Sequence, residues 1–183
     1  ASQPFTSALV MSNIKMFRYS YVWIKSRAIG HLVSKYRPME KKEDILIFGK
    51  NKINFYPIKT KREKIRIDNR KKENVGGSCQ HLNFKNKEDR KTVYEFKNPT
   101  TVLEFSNEHN VGKFKHPTQK PVALFEYLIK TYTNEGDLVL DNCAGSGTTG
   151  VACINTNRNY ILIEKEEKYC TIINERLNNV RNK

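Results

Sequence analysis

Apolar and polar positions first alternate along this chain and then change period. Phe17, Tyr19, Tyr21 and Trp23 alternate with Arg18, Ser20, Val22 and Ile24, and a period of two predicts a strand with one aromatic face. A second strand is expected over 43–48, pairing with the first as an antiparallel hairpin around a long connection. Farther on, Leu124, Leu128 and Tyr132 recur at four-residue spacing, the stripe of an amphipathic helix that starts near Pro121. Leu138-Val139-Leu140 follows the breaker Gly136 and predicts a short strand of a parallel sheet covered on both faces. Residues 148–155 read as a helix and 160–163 as a second buried strand ending in Glu164, so this stretch forms a β-α-β unit.

At the turn of that unit stand Asp141-Asn142-Cys143-Ala144-Gly145-Ser146-Gly147-Thr148-Thr149. Ligands of such units sit beyond the carboxyl ends of the strands, where loop amides and a helix N-terminus point outward. Gly145 and Gly147 let backbone approach a ligand that a Cβ would block. Glu164 closes the second strand where an acidic residue can take the two hydroxyls of a ribose. The stretch from Gly145 to Gly150 also satisfies the G-x-G-x-x-G dinucleotide pattern. Asp141 argues against that reading, because a carboxylate repels a pyrophosphate but attracts the ammonium and sulfonium of S-adenosylmethionine. The plainer alternative is that Asp141 only caps a turn. A phosphate-cradling P-loop is excluded, since no Lys-Ser or Lys-Thr follows the glycines.

Upstream lies His116-Pro117-Thr118-Gln119-Lys120-Pro121. Lys120 precedes a helix, where positive charge is unfavourable. That cost points to an anion, such as the carboxylate of the cofactor's methionine; the alternative is a solvated surface lysine.

"HPTQKPVALFEYLI", "LVLDNCAGSGTTGVAC" and "NYILIE", in this order, resemble the C-terminal half of the β-class DNA amino-methyltransferases, which methylate adenine N6 or cytosine N4. "SQPFTS", "YVWIK" and "EDILIFGK" resemble the strands that follow the catalytic motif there. The resemblance implies an α/β fold: an incomplete Rossmann-like sheet of the class I S-adenosylmethionine-dependent methyltransferases, with an inserted target-recognition region. It divides the chain into 1–50, the end of the catalytic half; 51–115, a basic target-recognition region; and 116–183, the cofactor half. It further implies that Asp141, Gly145, Gly147 and Thr148 form the methionine-side loop, that Glu164 holds the ribose, and that His116, Thr118 and Lys120 flank the methionine tail. Asn142-Cys143 departs from the apolar pair usual in that family, which affects packing against the adenine.

Charge bears on the partner independently. The net charge is +14, yet 116–183 is neutral, with eight basic and eight acidic residues, so the whole excess lies before it. Its densest part, 59–73, holds eight basic and three acidic residues. Lys61, Arg62, Lys64, Arg66, Arg70, Lys71 and Lys72 are therefore the expected contacts to a phosphate backbone; the alternative is a solvated charged loop. The N-terminal aromatics could stack on bases, but core packing is the expected role. Four dispersed cysteines give no zinc or disulfide pattern, and Cys79 with His81 makes at most half a metal site. No apolar run approaches the ~18 residues a membrane span needs, no signal peptide is seen, and a reduced, cytoplasmic setting is expected.

Methylases of the resembled kind carry Asp-Pro-Pro-Tyr or a close variant, and no Pro-Pro pair occurs here. No catalytic residue is assigned, and two central strands of the family's sheet are expected to be absent. The expectation is a fragment of a site-specific DNA methyltransferase, adenine N6 favoured over cytosine N4, inactive alone and completed by an N-terminal segment or a complementing chain. An inactive DNA-binding remnant and a dinucleotide-dependent oxidoreductase are the alternatives.

Overall fold

The computed structural model describes residues 1–70, 90–106 and 119–182, without the side chains of Arg70 and Arg90. In chain order the elements are α1 (Phe5–Ser12), β1 (Phe17–Ile29), β2 (Glu40–Phe48), β3 (Thr60–Arg70), β4 (Arg90–Lys97), β5 (Val102–Phe105), α2 (Val122–Tyr132), β6 (Leu138–Asp141), α3 (Thr148–Asn155), β7 (Asn159–Leu162) and α4 (Glu167–Arg181). They form two compact units, one of Ala1–Tyr56 with Thr100–Lys183, the other of Pro57–Pro99.

The first unit contains the predicted hairpin. β1 and β2 pair antiparallel, with Tyr21 opposite Ile45 and Trp23 opposite Glu43. β5 adds in parallel on the other side of β1, and Trp23 sits opposite Leu103. The aromatic face turns inward: Tyr21 and Trp23 are each 3% exposed and pack with Leu103 and Leu124. Trp23 satisfies its indole N–H on the carbonyl of Phe105 at 2.9 Å, as a buried indole requires. Above this face the hydroxyls of Tyr19 and Tyr132 meet at 2.8 Å, and the Tyr132 hydroxyl donates to that of Tyr21 at 3.0 Å.

The β-α-β unit forms as the apolar runs predict. β6 and β7 pair in parallel, Leu138 with Asn159 and Asp141 with Leu162, and α3 crosses between them. Ala152 and Cys153 on α3 are fully buried and meet Ile129 of α2. On the other flank, Ile173 and Leu177 of α4 pack against Ala144 and Val151.

Two expectations are corrected. Within "SQPFTS", residues 2–7, expected to belong to a strand, the helix α1 starts instead at Phe5, with Pro4 at its N-cap. The β6–β7 sheet is covered on one face only among the described residues. Val139, Tyr160 and Leu162 pack inward, while Leu138 and Leu140 are 61% exposed and Ile161 and Ile163 about half exposed. Continuous apolar runs suggested two buried faces, but the helices among the described residues cover only one.

The second unit is the antiparallel pair β3–β4, with Arg66 opposite Tyr94 and Ile67 opposite Val93. Among the described residues no helix is long and apolar enough to cross a membrane, and no group of His, Cys, Asp or Glu could hold a metal ion. Cys79 and His81 lie outside the described residues.

Candidate functional site

Two carboxylates at the ends of adjacent parallel strands grip the glycine loop. Asp141, the last residue of β6, accepts the N–H of Cys143 on Oδ1 at 3.0 Å and the hydroxyl of Thr149 on Oδ2. Glu164, two residues past β7, accepts the N–H of Gly145 on Oε2 at 2.7 Å and those of Lys165 and Glu166 on Oε1 at 2.9 and 3.0 Å. Between them the loop is stitched to the strand end: Ala144 N–H donates to the Ile163 carbonyl at 3.0 Å, and Ile163 N–H to the Asp141 carbonyl at 2.8 Å. Asp141 does cap its turn. One bond to each of its oxygens leaves further acceptor capacity on a carboxylate.

The glycines have separate reasons. Gly145 and Gly147 are in the left-handed region, φ 54° and 76°, which disfavours any residue with a Cβ. Gly150 is inside α3, where a Cβ would stand 2.8 Å from Leu162 Cδ1 and 3.0 Å from Leu177 Cδ2. Its absence lets α3 lie close on β7 and α4.

From α4, Arg176 donates through Nη1 to the Ser146 carbonyl at 2.7 Å, the Ser146 hydroxyl at 3.0 Å and the Thr148 hydroxyl at 3.3 Å. Ser146 and Thr148 are both buried. Sequence reasoning missed Arg176, although its place beside the core positions Ile173 and Leu177 puts it at the edge of the apolar stripe. Asn142 and Cys143 are exposed. The Cys153 thiol, by contrast, is buried and pushed up to about 11; the Asp141 charge adds to this and Arg158 opposes it.

Lys120 joins the loop to the hairpin sheet. Its carbonyl accepts the Thr148 hydroxyl at 3.3 Å, while its Nζ lies 3.5 Å from Glu43 Oε2. The other oxygen of Glu43 is 2.6 Å from Nζ of Lys25, which is only 5% exposed. Burial opposes ionisation of Glu43, but the bond to Lys25 and the charges of Lys120 and Lys25 outweigh it and hold the carboxyl below its usual range. Lys25 continues the buried period of Tyr21 and Trp23, so a charge on that face called for an acidic partner on the neighbouring strand. His116 and Thr118 lie outside the described residues.

A family model for N6/N4 DNA methylases matches residues 5–175. The chain belongs to this family of DNA methylases. Type II methyltransferase M.HpaI of Haemophilus parainfluenzae is 46% identical over 82 residues, which are 44% of this chain and 26% of that protein. Type II methyltransferase M2.DpnII of Streptococcus pneumoniae is 49% identical over 63 residues, 34% of this chain and 24% of that one. These alignments span about a quarter of the length of the curated relatives. Among solved structures, M1.HpyAVI in complex with SAM superposes with a TM-score of 0.65 and 28% identity, covering 97% of this chain and 72% of that one. The cytosine-N4-specific PvuII DNA methyltransferase shares the fold, with a TM-score of 0.63 at 18% identity, covering 100% and 63%. The resemblance carried by "HPTQKP", "AGSGTTG" and "NYILIE" is thus borne out at the level of family and fold.

Of the predicted basic residues, Lys61, Arg62, Lys64, Arg66 and Arg70 fall on β3. Lys61, Lys64 and Arg66 are exposed; Arg62 is half-buried and donates Nε–H to the Phe96 carbonyl at 3.3 Å. Lys59, Arg62, Arg66, Tyr94 and Phe96 line an open cleft of about 450 Å³ together with the acidic Asp68 and Glu95. Arg70 closes β3, while Lys71 and Lys72 lie outside the described residues.

Proposed function

We propose that this chain binds S-adenosylmethionine in the loop between β6 and α3 and serves methylation of an exocyclic amino group of DNA, adenine N6 in preference to cytosine N4. The observation that carries the reading is the pair Asp141 and Glu164, both bonded into the loop from neighbouring strand ends. No cationic side chain interrupts 141–149. These two acceptors suit a ligand with positive charge and ribose hydroxyls, and they disfavour the pyrophosphate of a dinucleotide. When bound, S-adenosylmethionine supplies an electrophilic methyl group on its sulfonium.

The chain's own residues hold and orient that cofactor. Asp141, with Gly145, Gly147 and Thr148, faces its methionine side, Glu164 takes the ribose, and Lys120 with His116 and Thr118 flanks the methionine carboxylate. Lys61, Arg62, Lys64, Arg66, Arg70, Lys71 and Lys72 bind the phosphate backbone of double-stranded DNA. No residue here takes a catalytic role, and a segment or separate chain bearing an Asp-Pro-Pro-Tyr-like motif completes the enzyme. The exposed row Leu138, Leu140, Ile161 and Ile163 agrees with such a complement.

Calorimetric titration with S-adenosylhomocysteine and, separately, with NADH tests the cofactor assignment. Binding of the first and not the second is expected; binding of NADH alone overturns it.

A further inference from the structure

Lys25, Glu43 and Lys120 form a chain of alternating charge in which one carboxylate stands between two ammoniums, 2.6 Å from one and 3.5 Å from the other. The two contacts differ in kind. Lys25 is almost fully buried, its ammonium 5.7 Å from the centre of the Trp23 ring, and a buried charge requires a close partner. Lys120 is about a third exposed, and its contact with Glu43 is long. The Lys120 backbone is fixed independently, by the Thr148 hydroxyl at the first residue of α3. The end of its side chain faces Glu43.

The geometry points to Glu43 as a placeholder counter-ion. It pairs with the Lys120 ammonium and yields it to the carboxylate of the incoming cofactor. Lys25 makes the exchange possible. Because Lys25 occupies the other oxygen of Glu43 at close range, Glu43 keeps a full partner when Lys120 turns away. The trio carries one net positive charge, which one carboxylate neutralises. Glu43 and Lys25 therefore touch no ligand; they are positioning residues that set how tightly Lys120 is held in competition with the ligand. This rests on the reading that Lys120 receives the methionine carboxylate.

The trio predicts opposite signs for two neutralising substitutions. Glu43→Gln removes the competing charge; its single amide oxygen can stay with Lys25, and its NH2 group offers Lys120 no acceptor. Lys25→Met removes the closer partner of Glu43 and tightens its pair with Lys120. Binding is measured by calorimetry on the full chain with two probes: S-adenosylhomocysteine, and 5′-methylthioadenosine, which has the same adenosine and thioether but no amino-acid end. Charge effects of this kind at partly exposed sites amount to roughly three- to tenfold in affinity. S-adenosylhomocysteine should bind Glu43→Gln more tightly and Lys25→Met more weakly by such factors, with 5′-methylthioadenosine unchanged in both. Raised ionic strength should shrink both differences. A merely structural role would shift both probes in one direction in both variants, and that result overturns the inference. If either variant fails to fold, the other still decides, because each has its own expected sign.

Lys120→Met separates the two levels. If it leaves the preference for S-adenosylhomocysteine intact, the assignment of Lys120 itself fails. If it abolishes that preference while Glu43→Gln and Lys25→Met do not move it oppositely, only the placeholder role fails.

Discussion

The backbone N–H of Gly145 and the carboxylate of Glu164 are 2.7 Å apart, nineteen positions distant in sequence. This contact closes the β-α-β unit on itself, since Glu164 follows β7 and Gly145 precedes α3. A hydrogen bond to a charged group contributes ~1.5–3 kcal/mol. Glu164→Ala should therefore lower the affinity for S-adenosylhomocysteine by at least roughly tenfold and also reduce the melting temperature. Asp141→Ala should do the same through Cys143 and Thr149. Calorimetry and thermal melts check both, and unchanged affinity in the two variants would remove these residues from the site.

Arg176 reaches the same loop from α4 through Ser146 and Thr148. Arg176→Met keeps the aliphatic stem and removes the donors. The buried Ser146 carbonyl then loses its partner, at a cost of about 1–3 kcal/mol. Hydrogen exchange at 146–149 should quicken relative to β1, and affinity for S-adenosylhomocysteine should fall. Exchange unaltered at the loop would show that Arg176 does not clamp it.

Gly150→Ala places a methyl group within 3.0 Å of Leu162 and Leu177. The obstructing atoms are the ends of flexible leucines, so the helix shifts rather than unfolds, with a destabilisation of about 1–3 kcal/mol. Chemical denaturation measures it. A wild-type midpoint would mean that α3 is less tightly seated than its contacts indicate.

The tyrosine cluster predicts an alkaline transition. Burial pushes the Tyr21 hydroxyl up to about 12, with the bond from Tyr132 working against that rise. Tyr132 and Tyr127 are also raised, burial being the largest cause. A raised folded-state value means that the unfolded chain loses its proton first. Stability is then fully present below the ordinary tyrosine range and is lost as pH rises toward 12, by about 1.4 kcal/mol per pH unit for each such tyrosine. Unfolding followed by circular dichroism between pH 9 and 12 should show this loss. Tyr132→Phe, which deprives Tyr19 and Tyr21 of their shared partner, should shift the curve.

The hairpin makes a prediction about salt. Each phosphate contact contributes about −0.9 to the slope of log affinity against log salt. Lys61→Ala, Lys64→Ala and Arg66→Ala should each flatten the slope for duplex DNA by nearly one while leaving affinity for S-adenosylhomocysteine unchanged. A slope that stays the same in all three would take DNA off this face.

The β-α-β unit was legible because its signals are local. Three apolar residues, two glycines and an acidic residue at each strand end specify a turn without help from distant chain. The hairpin of β1 and β2 was equally legible, since its alternation persists through Trp23. What escaped was non-local. Nothing in 2–7 separates a helix start after Pro4 from the end of a strand without its surroundings. β5 is four residues long, and only its pairing with β1 makes it a strand. Arg176 and the Lys25–Glu43 pair are read by following a charge to its partner across 30 and 18 residues, a relation that no periodicity contains. The exposed face of β6 and β7 was invisible for the opposite reason, because an apolar residue looks the same whether its own chain covers it or not.

The glycine loop is tied down at Asp141, at Glu164 and at Arg176 by the chain's own groups. Its conformational entropy is thus lost during folding and does not recur on association. Ligand capture then proceeds without a slow ordering phase, and stopped-flow traces should show one exponential whose rate scales linearly with ligand concentration.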